Sequence, residues 1–164
     1  SEILKQSQKL VYTEPDPRID LNGLDVQRKL IILSRETGLP MEATDVEIEN
    51  ILPTACQQAK TVEDFFAELE KADDVFEKLR AEAEQEEKAL RMVASLDDGK
   101  AKISLQRVDS SHPFYSLSGS DNMIVFTTER YKERPLVVRG PGAGAEVTAA
   151  GVFAEIITIG NYLS

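Results

Sequence analysis

Two stretches of alternating residues joined by an Asp-Gly turn constrain the fold of this 164-residue chain more than any other feature. Residues 90–96 and 100–108 flank Asp98 and Gly99, and Asp-Gly is a preferred sequence for two-residue hairpin turns. Polar and apolar side chains alternate along the second stretch: Ala101, Lys102, Ile103, Ser104, Leu105 and Gln106. We therefore expect an antiparallel hairpin with one buried face and one face in contact with water.

Residues 61–88, which precede the hairpin, have the pattern of amphipathic helices. Thr61 and Asp64 form an N-terminal capping signal, and the sequence Ala72-Asp73-Asp74 interrupts the helix. Two apolar stripes lie on either side of this break: Val62, Phe65, Phe66 and Leu69, then Val75, Phe76, Leu79 and Ala83. Residues 82–88 are mostly acidic, which indicates a solvated helix surface rather than a partner-binding face.

Shorter elements complete the fold prediction. Residues 46–49 alternate as a short strand, and Pro53 begins a short helix that carries Cys56 as a buried residue. Residues 123–128 and 135–139 are predicted strands, and the second is nearly all apolar, which favours a central place in a sheet. The predicted fold class is therefore α/β, of the α+β type, with a mixed β-sheet covered by helices.

The stretch from Tyr12 to Lys29 concentrates charged residues ahead of a predicted helix and within it. Pro15 and Pro17 favour a stiff, non-helical segment because each fixes its own φ angle and restricts the residue before it. Asn22 is predicted as the N-cap residue, with the helix beginning two residues later. A rigid segment that leads into a helix N-terminus is a good support for a binding site.

Asp25 and Lys29 are four residues apart on that helix, so they share one face. With Glu14 and Asp20 supplied by the preceding segment, the arrangement suits a zwitterionic substrate and a proton donor beside it. The alternative is an exposed ion pair worth about 0.3–0.5 kcal/mol, with Asp25 assisting the helix cap. The residues alone leave both interpretations open.

Gly140, Gly142 and Gly144 lie in a turn between a predicted strand and a predicted helix, a common place for phosphate binding. Their spacing departs from the dinucleotide-binding fingerprint, and Glu146 at the helix start would repel a pyrophosphate. A tight strand-to-helix turn is the alternative. His112, the single histidine of the sequence, lies in a predicted loop without a carboxylate at a suitable spacing, so a structural role is favoured over general-base catalysis.

Composition and charge exclude several classes of function. The net charge of −10 disfavours nucleic acids and anionic membrane surfaces as partners. Cys56 is the single cysteine, so an internal disulfide is impossible and a reducing, cytoplasmic location is expected. The sequence has neither the ligand spacing of a metal site nor an apolar run of membrane-spanning length, and no G-x-G-x-x-G fingerprint follows an early strand.

Five segments taken together resemble the homoserine dehydrogenase family. Residues 12–29 carry Y-T-E-P-D-P-R-x-D-L-N-G-x-D-V-x-R-K, and the segment that begins at Pro135 carries P-L-V-V-R-G-P-G-A-G-A-E-V-T-A-A-G-V. Between them L-R-M-V-A-S, H-P-F-Y-S-L and N-M-I-V-F-T-T-E-R-Y fit in order. The resemblance covers nearly the whole chain and is nearest to the dehydrogenase half of bifunctional aspartokinase–homoserine dehydrogenases.

This resemblance implies an activity and a set of site residues. Enzymes of the family interconvert L-aspartate 4-semialdehyde and L-homoserine with NAD(P)H, a step in threonine, methionine and isoleucine biosynthesis. In the matching motif Lys29 is the implied proton donor, and Asp25 is the implied residue that orients it. The implied substrate contacts lie in the same motif: Glu14 and Asp20 at the ammonium group, and Tyr12 in the pocket wall.

The glycine-rich turn carries the implied cofactor contact. Gly144, with Gly142 beside it, would approach the nicotinamide end of NADP or NAD rather than its phosphates. The family has an acid where this chain has Ile19, so one expected carboxylate is lost. A second lysine that the family uses is expected upstream of the residues that match.

The implied organisation places a substrate-binding, catalytic and dimerisation domain in residues 1–140. Residues 141–164 would form the glycine-rich turn and a C-terminal helix that returns to a nucleotide-binding domain outside this sequence. The chain alone is therefore expected to be inactive, and a homodimer is expected because related enzymes pair through this domain's sheet. An oligomerisation module or a regulatory amino-acid-binding module without catalysis is the alternative, although no repeated βαββαβ unit supports the regulatory module.

Overall fold

The structure, a computed structural model, describes residues 16, 18–119, 121–142 and 144–163, without the side chains of residues 19 and 20. The chain divides into two compact units, which we call unit 1, ending at Tyr115, and unit 2, beginning at Ser116. The predicted boundary between residues 140 and 141 rests on the implied cofactor contact and stays a prediction.

Helices and strands follow one another along the chain, and one sheet contains both a parallel and an antiparallel pair of strands. This confirms the predicted α/β class with a mixed sheet. In unit 1 the elements are α1 (Arg18–Leu21), α2 (Leu24–Glu36), β1 (Val46–Ile48), α3 (Thr54–Gln57), α4 (Val62–Lys71), α5 (Asp73–Gln85), β2 (Ala89–Asp97) and β3 (Lys100–Val108). In unit 2 they are β4 (Asp121–Phe126), β5 (Leu136–Pro141) and α6 (Ala145–Leu163). No helix of the described residues is long and apolar enough to cross a membrane.

The predicted hairpin is the centre of unit 1. Strands β2 and β3 pair antiparallel along their whole length, from Ala89 opposite Val108 to Asp97 opposite Lys100. Both turn residues have positive φ angles, 46° at Asp98 and 75° at Gly99, as a type I′ turn requires. Strand β1 adds to β3 in parallel, which gives a mixed three-stranded sheet in the order β1-β3-β2.

One face of this sheet forms the first hydrophobic core. Ile103 on β3 is fully buried, and Leu30 of α2 lies in the same cluster. The prediction of a wet opposite face is wrong at Ser104, which is buried although it points away from Ile103. Its cross-strand neighbour Val93 is buried as well, so both faces of the sheet are covered at this position.

A second hydrophobic core is built by the helices, and its buried members are Leu52, Cys56, Phe65 and Leu69. The predicted burial of Cys56 and the predicted cap at Thr61 are both confirmed, since the Asp64 backbone N–H donates to Thr61 Oγ1 at 3.0 Å. Val75, which was placed in the second apolar stripe, is 55% exposed. It precedes Phe76 by one residue, about 100° around the helix, and therefore points away from the core.

Unit 2 contains a two-stranded antiparallel sheet and a long helix. Strand β5 pairs only with β4 among the described residues, so the prediction of a central strand is wrong for this part of the chain. Its three apolar residues Leu136, Val137 and Val138 are exposed. The apolar side chains of α6 are exposed too: Val147, Val152, Phe153, Ile156, Ile157, Ile159, Tyr162 and Leu163.

Candidate functional site

Helix α2, which carries Lys29, begins directly on the sheet. Its N-cap is Gly23, with a φ angle of 82°, and a Cβ atom added there would lie 3.3 Å from Ile48 Cγ2 and 3.6 Å from Ile103 Cγ2. A side chain at this position would be strained and crowded. Glycine therefore allows the helix N-terminus to approach strands β1 and β3 closely.

The prediction that Asn22 is the N-cap is wrong by one residue. The short helix α1, which the sequence did not predict, ends at Leu21, and Asn22 lies in the tight link between α1 and α2. Asn22 Oδ1 accepts a hydrogen bond from the Leu24 backbone N–H at 3.0 Å, so its side chain stabilises that link instead of capping the helix.

The opposite face of α2 fixes the rotation of the helix. Its buried residues are Gln27, Leu30 and Ser34. Gln27 Nε2 donates to the Ala43 carbonyl at 2.8 Å, and Ser34 Oγ donates to the Leu39 carbonyl at 3.1 Å. Because these contacts hold the inner face of the helix, Asp25 and Lys29 are held on the outer face.

The predicted ion pair is present. Lys29 Nζ lies 2.9 Å from Asp25 Oδ2, and the two side chains are 51% and 44% exposed. Asp25 lies in the first turn of α2, where the helix dipole favours a carboxylate. A substrate has access to this pair, and an ordinary surface pair has the same geometry, so the catalytic role of Asp25 and Lys29 stays a prediction.

Helix α2 ends at Glu36, and the chain turns at a glycine two residues later. Gly38 has a φ angle of 86°, its N–H donates to the Arg35 carbonyl at 3.0 Å, and the Leu39 N–H donates to the Ser34 carbonyl at 3.1 Å. These two bonds form a Schellman motif, in which glycine is preferred.

A contact that sequence analysis missed lies just ahead of α2. Arg18 Nε donates to Asp16 Oδ1 at 2.8 Å, and Arg18 Nη2 donates to Asp16 Oδ2 at 2.5 Å. The remaining nitrogen, Nη1, donates to the Ala59 carbonyl at 2.8 Å, between α3 and α4. The hydrogen bond from Arg18 lowers the pKa of the Asp16 carboxyl below its usual range. The local Asp-x-Arg spacing signals the ion pair, but no local pattern signals the contact with Ala59.

The structure describes no side chain of the three predicted substrate-binding residues. Tyr12 and Glu14 lie outside the described residues. Asp20 lies in α1, but its side chain is not among those described. Their roles stay predictions.

The two predicted cofactor-binding glycines lie in unit 2, on either side of residue 143. Gly144 has a φ angle of 129° and open space around it, directly ahead of α6. Gly142 is different, because a Cβ atom there would lie 1.2 Å from Asn122 Nδ2, so the Asn122 side chain already fills that space. Of these two glycines, only Gly144 leaves room for a ligand to approach the backbone.

His112 has the contacts of a structural loop residue. Its Nδ1 accepts a hydrogen bond from the Phe114 backbone N–H at 3.1 Å, and its ring lies 4.9 Å from the Phe114 ring, measured between centroids. Within the described part of the chain no group of three or more His, Cys, Asp or Glu side chains is placed to hold a metal ion.

Known proteins match this chain over nearly all its length. The family model for homoserine dehydrogenase matches residues 1–157. Among curated proteins, homoserine dehydrogenase from Schizosaccharomyces pombe is 47% identical over 162 residues, which are 97% of this chain and 43% of that protein. Bifunctional aspartokinase/homoserine dehydrogenase 2 from the chloroplasts of Zea mays is 44% identical over 165 residues, 99% of this chain and 18% of that protein.

Solved structures also match this chain, in fold as well as in sequence. A Candida auris protein of unknown function is 39% identical with a TM-score of 0.86, covering 98% of this chain and 45% of that one. S. aureus homoserine dehydrogenase at pH 7.0 has a TM-score of 0.69 at 20% identity, covering 99% of this chain and 37% of that one, and so shows the shared fold. The chain spans less than half the length of each of these proteins. The family match over residues 1–157 confirms the resemblance of the five motifs: the chain belongs to the homoserine dehydrogenase family.

Proposed function

We propose that this chain is the substrate-binding and catalytic part of a homoserine dehydrogenase, which interconverts L-aspartate 4-semialdehyde and L-homoserine. The observation that carries the proposal is the family match over residues 1–157. The Lys29–Asp25 pair, 2.9 Å apart on the outer face of α2, supplies the candidate proton donor. The product would serve threonine, methionine and isoleucine biosynthesis.

In this mechanism the protein positions the substrate and moves one proton. Lys29 Nζ donates the proton to the developing alkoxide oxygen as the aldehyde is reduced, and takes it back in the reverse reaction. Asp25 holds the ammonium of Lys29 in place. Glu14 and Asp20 bind the substrate's ammonium group, and Tyr12 lines the pocket. NADP or NAD, when bound, supplies or accepts the hydride.

The space around the glycine-rich turn determines which part of that cofactor could bind there. Gly144 has no side chain, an exposed backbone and no heavy atom within 4 Å of its missing Cβ position, so a flat ring can approach it closely. Glu146 in the first turn of α6 opposes binding of a phosphate at the same helix end. Gly144 therefore fits a contact with the uncharged end of the nucleotide, and the phosphates would be bound elsewhere.

Replacement of Lys29 tests the proposed proton transfer. In the full-length protein that carries this chain, we expect Lys29→Ala to lower kcat for aspartate semialdehyde reduction by about 10²–10⁴-fold, the usual loss on removal of a positioned acid. The matched control is Lys71→Ala, since Lys71 Nζ also pairs with a carboxylate on its own helix, Glu68, at 2.6 Å. Steady-state rates of NADPH oxidation give kcat for each variant, and melting curves show whether the variant is folded. A Lys29→Ala enzyme as active as Lys71→Ala would make the pair an ordinary surface ion pair.

Glu14→Ala separates binding from chemistry in the same assay. If Glu14 contacts the substrate's ammonium equally in the ground and transition states, its loss raises KM and leaves kcat unchanged.

We also propose that the protein forms a homodimer. A two-stranded sheet is marginal by itself, and β5 exposes Leu136, Val137 and Val138. A second copy presenting the same surface would bury these residues. We expect light scattering at micromolar concentration to show a dimer, and Val138→Lys to shift it toward monomer. Val75→Lys, at a similarly exposed valine of unit 1, is the control and leaves the assembly unchanged. A monomeric wild-type protein would contradict the proposal.

A further inference from the structure

Arg18 joins two parts of unit 1 that are distant in sequence. Its guanidinium group holds both oxygens of Asp16 through Nε and Nη2, at 2.8 Å and 2.5 Å. Its third nitrogen, Nη1, reaches the carbonyl of Ala59 at 2.8 Å. The side chains of Arg18 and Asp16 are 27% and 32% exposed, so this is a half-buried, bidentate pair rather than a flexible surface contact.

The far end of this link is a rigid part of the molecule. Ala59 packs against the second hydrophobic core, in which Cys56 and Phe65 are fully buried. The near end is held as well, because the Arg18 backbone N–H donates to Asp16 Oδ1 at 3.0 Å. Because Asp16 is only two residues from Arg18, the pair can move together, and a movement of α1 away from the core breaks the contact with Ala59.

The contacts of Arg18 bear on the candidate substrate-binding site because of where Arg18 lies in the sequence. Asp16 and Arg18 lie between Glu14 and Asp20, the two residues proposed to bind the substrate's ammonium group. Arg18 and Asp20 share the four-residue helix α1. Such a short helix has little stability by itself, so its position depends on tertiary contacts.

We propose that Arg18 is a positioning residue for substrate binding, which fastens helix α1, the element that carries Asp20, to the helical core through the Ala59 carbonyl while Asp16 holds the guanidinium group in place. This inference deepens the proposed function and rests on it. Arg18 itself contacts neither the substrate nor the reacting atoms. It acts by keeping α1, and with it Asp20, in place ahead of the helix that carries Lys29, and displacements of about 1 Å in such groups are costly.

Arg35 provides a matched control within the same unit. Its Nη2 donates to Glu42 Oε1 at 2.7 Å and its Nε donates to the Met41 carbonyl at 3.1 Å, so it also joins a carboxylate to a backbone carbonyl. It lies in the last turn of α2 and, in the sequence, beyond the motif of residues 12–29. Arg18→Met and Arg35→Met remove the same chemistry, but only the first removes it beside the proposed substrate ligands.

The experiment compares the two variants in the full-length protein that carries this chain. We expect Arg18→Met to raise KM for homoserine about 10- to 100-fold, with a smaller change in kcat and an unchanged dissociation constant for NADPH. Arg35→Met is expected to lower Tm while leaving KM at the wild-type value. Arg18→Lys, which keeps the charge but not the planar fork, should give an intermediate KM because a lysine cannot hold both oxygens of Asp16 and the carbonyl together.

A double-mutant cycle tests whether the pair acts as one unit. In an Asp16→Asn background, Arg18→Met should raise KM by less than it does in the wild type, since part of the link is already lost. If Arg18→Met fails to fold, Arg18→Lys and Asp16→Asn keep the test available. An active wild-type protein whose Arg18 variants lose only Tm, as Arg35→Met does, overturns the positioning role alone. A full-length wild-type protein that cannot oxidise homoserine overturns the proposed function, and this inference with it.

Discussion

The sheets of the two units are both rich in apolar residues, yet only one is covered in the part of the chain that the structure describes. In unit 1 the hairpin buries Ile103 completely under α2, whereas in unit 2 Val138 on β5 remains 51% exposed. The helices differ in the same way, since α4 buries Phe65 and α6 leaves Phe153 exposed. The comparison shows that apolar patterning predicts a strand or a helix, whereas burial of its apolar face depends on which other elements pack against it.

The largest expected effect that distinguishes the two units comes from truncating one phenylalanine in each. Phe65→Ala should cost about 3–5 kcal/mol of unfolding free energy, because it empties a fully buried site. Phe153→Ala should change the free energy of unfolding of the isolated chain by less than about 0.5 kcal/mol, as exposed substitutions usually do. Urea unfolding of both variants measures the difference. Equal losses would mean that α6 is covered in solution, and the contrast between the units would disappear.

A smaller effect is expected at two glycines with similar backbone angles. Gly23 in unit 1 and Gly119 in unit 2 have φ angles of 82° and 63°, but only Gly23 has neighbours close to the position of a Cβ atom. Gly119→Ala should cost about 1–2 kcal/mol from backbone strain alone. Gly23→Ala should cost about 1 kcal/mol more, since the added methyl group meets Ile48 and Ile103. Equal thermal shifts for the two variants would show that α2 does not rest closely on the sheet.

The smallest expected effect concerns the charged surface of unit 1. The acidic side chains between residues 82 and 88 lie at the surface as predicted, although Ala83 among them is buried. Glu82 and Glu86 form ion pairs with Arg107 at 2.7 Å and 2.6 Å. Lys88 donates a hydrogen bond to Glu86 and, together with Arg107, lowers the pKa of that carboxyl. By contrast, the long helix α6 carries two charged residues, Glu146 and Glu155.

Because the pKa of Glu86 is lower in the folded state, its contribution is present above the unfolded value of about 4.3 and is lost as the pH falls through the folded value. We expect Tm to decline on acidification below that range, and Lys88→Gln to make the decline shallower. Lys100→Gln removes the same charge from a lysine with no ion pair among the described residues. If Lys88→Gln and Lys100→Gln change the decline of Tm at low pH equally, the effect is due to net charge and not to the contact between Lys88 and Glu86.

What the sequence predicts well is local in origin. The Asp98-Gly99 turn and the alternation beyond it predict β3 with the bounds that it has, and the Thr61 cap depends on contacts within three residues. Each of these features is decided by the preferences of neighbouring residues, which a single sequence displays.

What the sequence does not predict depends on distant residues or on competition between local structures. The Arg18–Ala59 contact joins positions 41 residues apart, and nothing near Arg18 indicates its partner. Asn22 has the chemistry of an N-cap, but the unexpected helix α1 leaves it in a tight link, and Gly23 takes the capping position. The residues of the candidate site come from the family motif, since the pairing of Asp25 with Lys29 alone equally suits an ordinary surface helix.

The parallel pairing of β1 with β3 has a consequence for the order of folding. Val46 and Ala101 lie opposite each other but are about 55 residues apart, so their pairing closes a long loop. The β2–β3 hairpin closes through a two-residue turn and is expected to form first. Pulse-labelling hydrogen exchange that protects β1 as early as β2 would contradict this order. Because Gly23 lies close to Ile48 of β1 as well as to Ile103 of β3, we expect the helix carrying Lys29 to reach its final place only after both strands have paired.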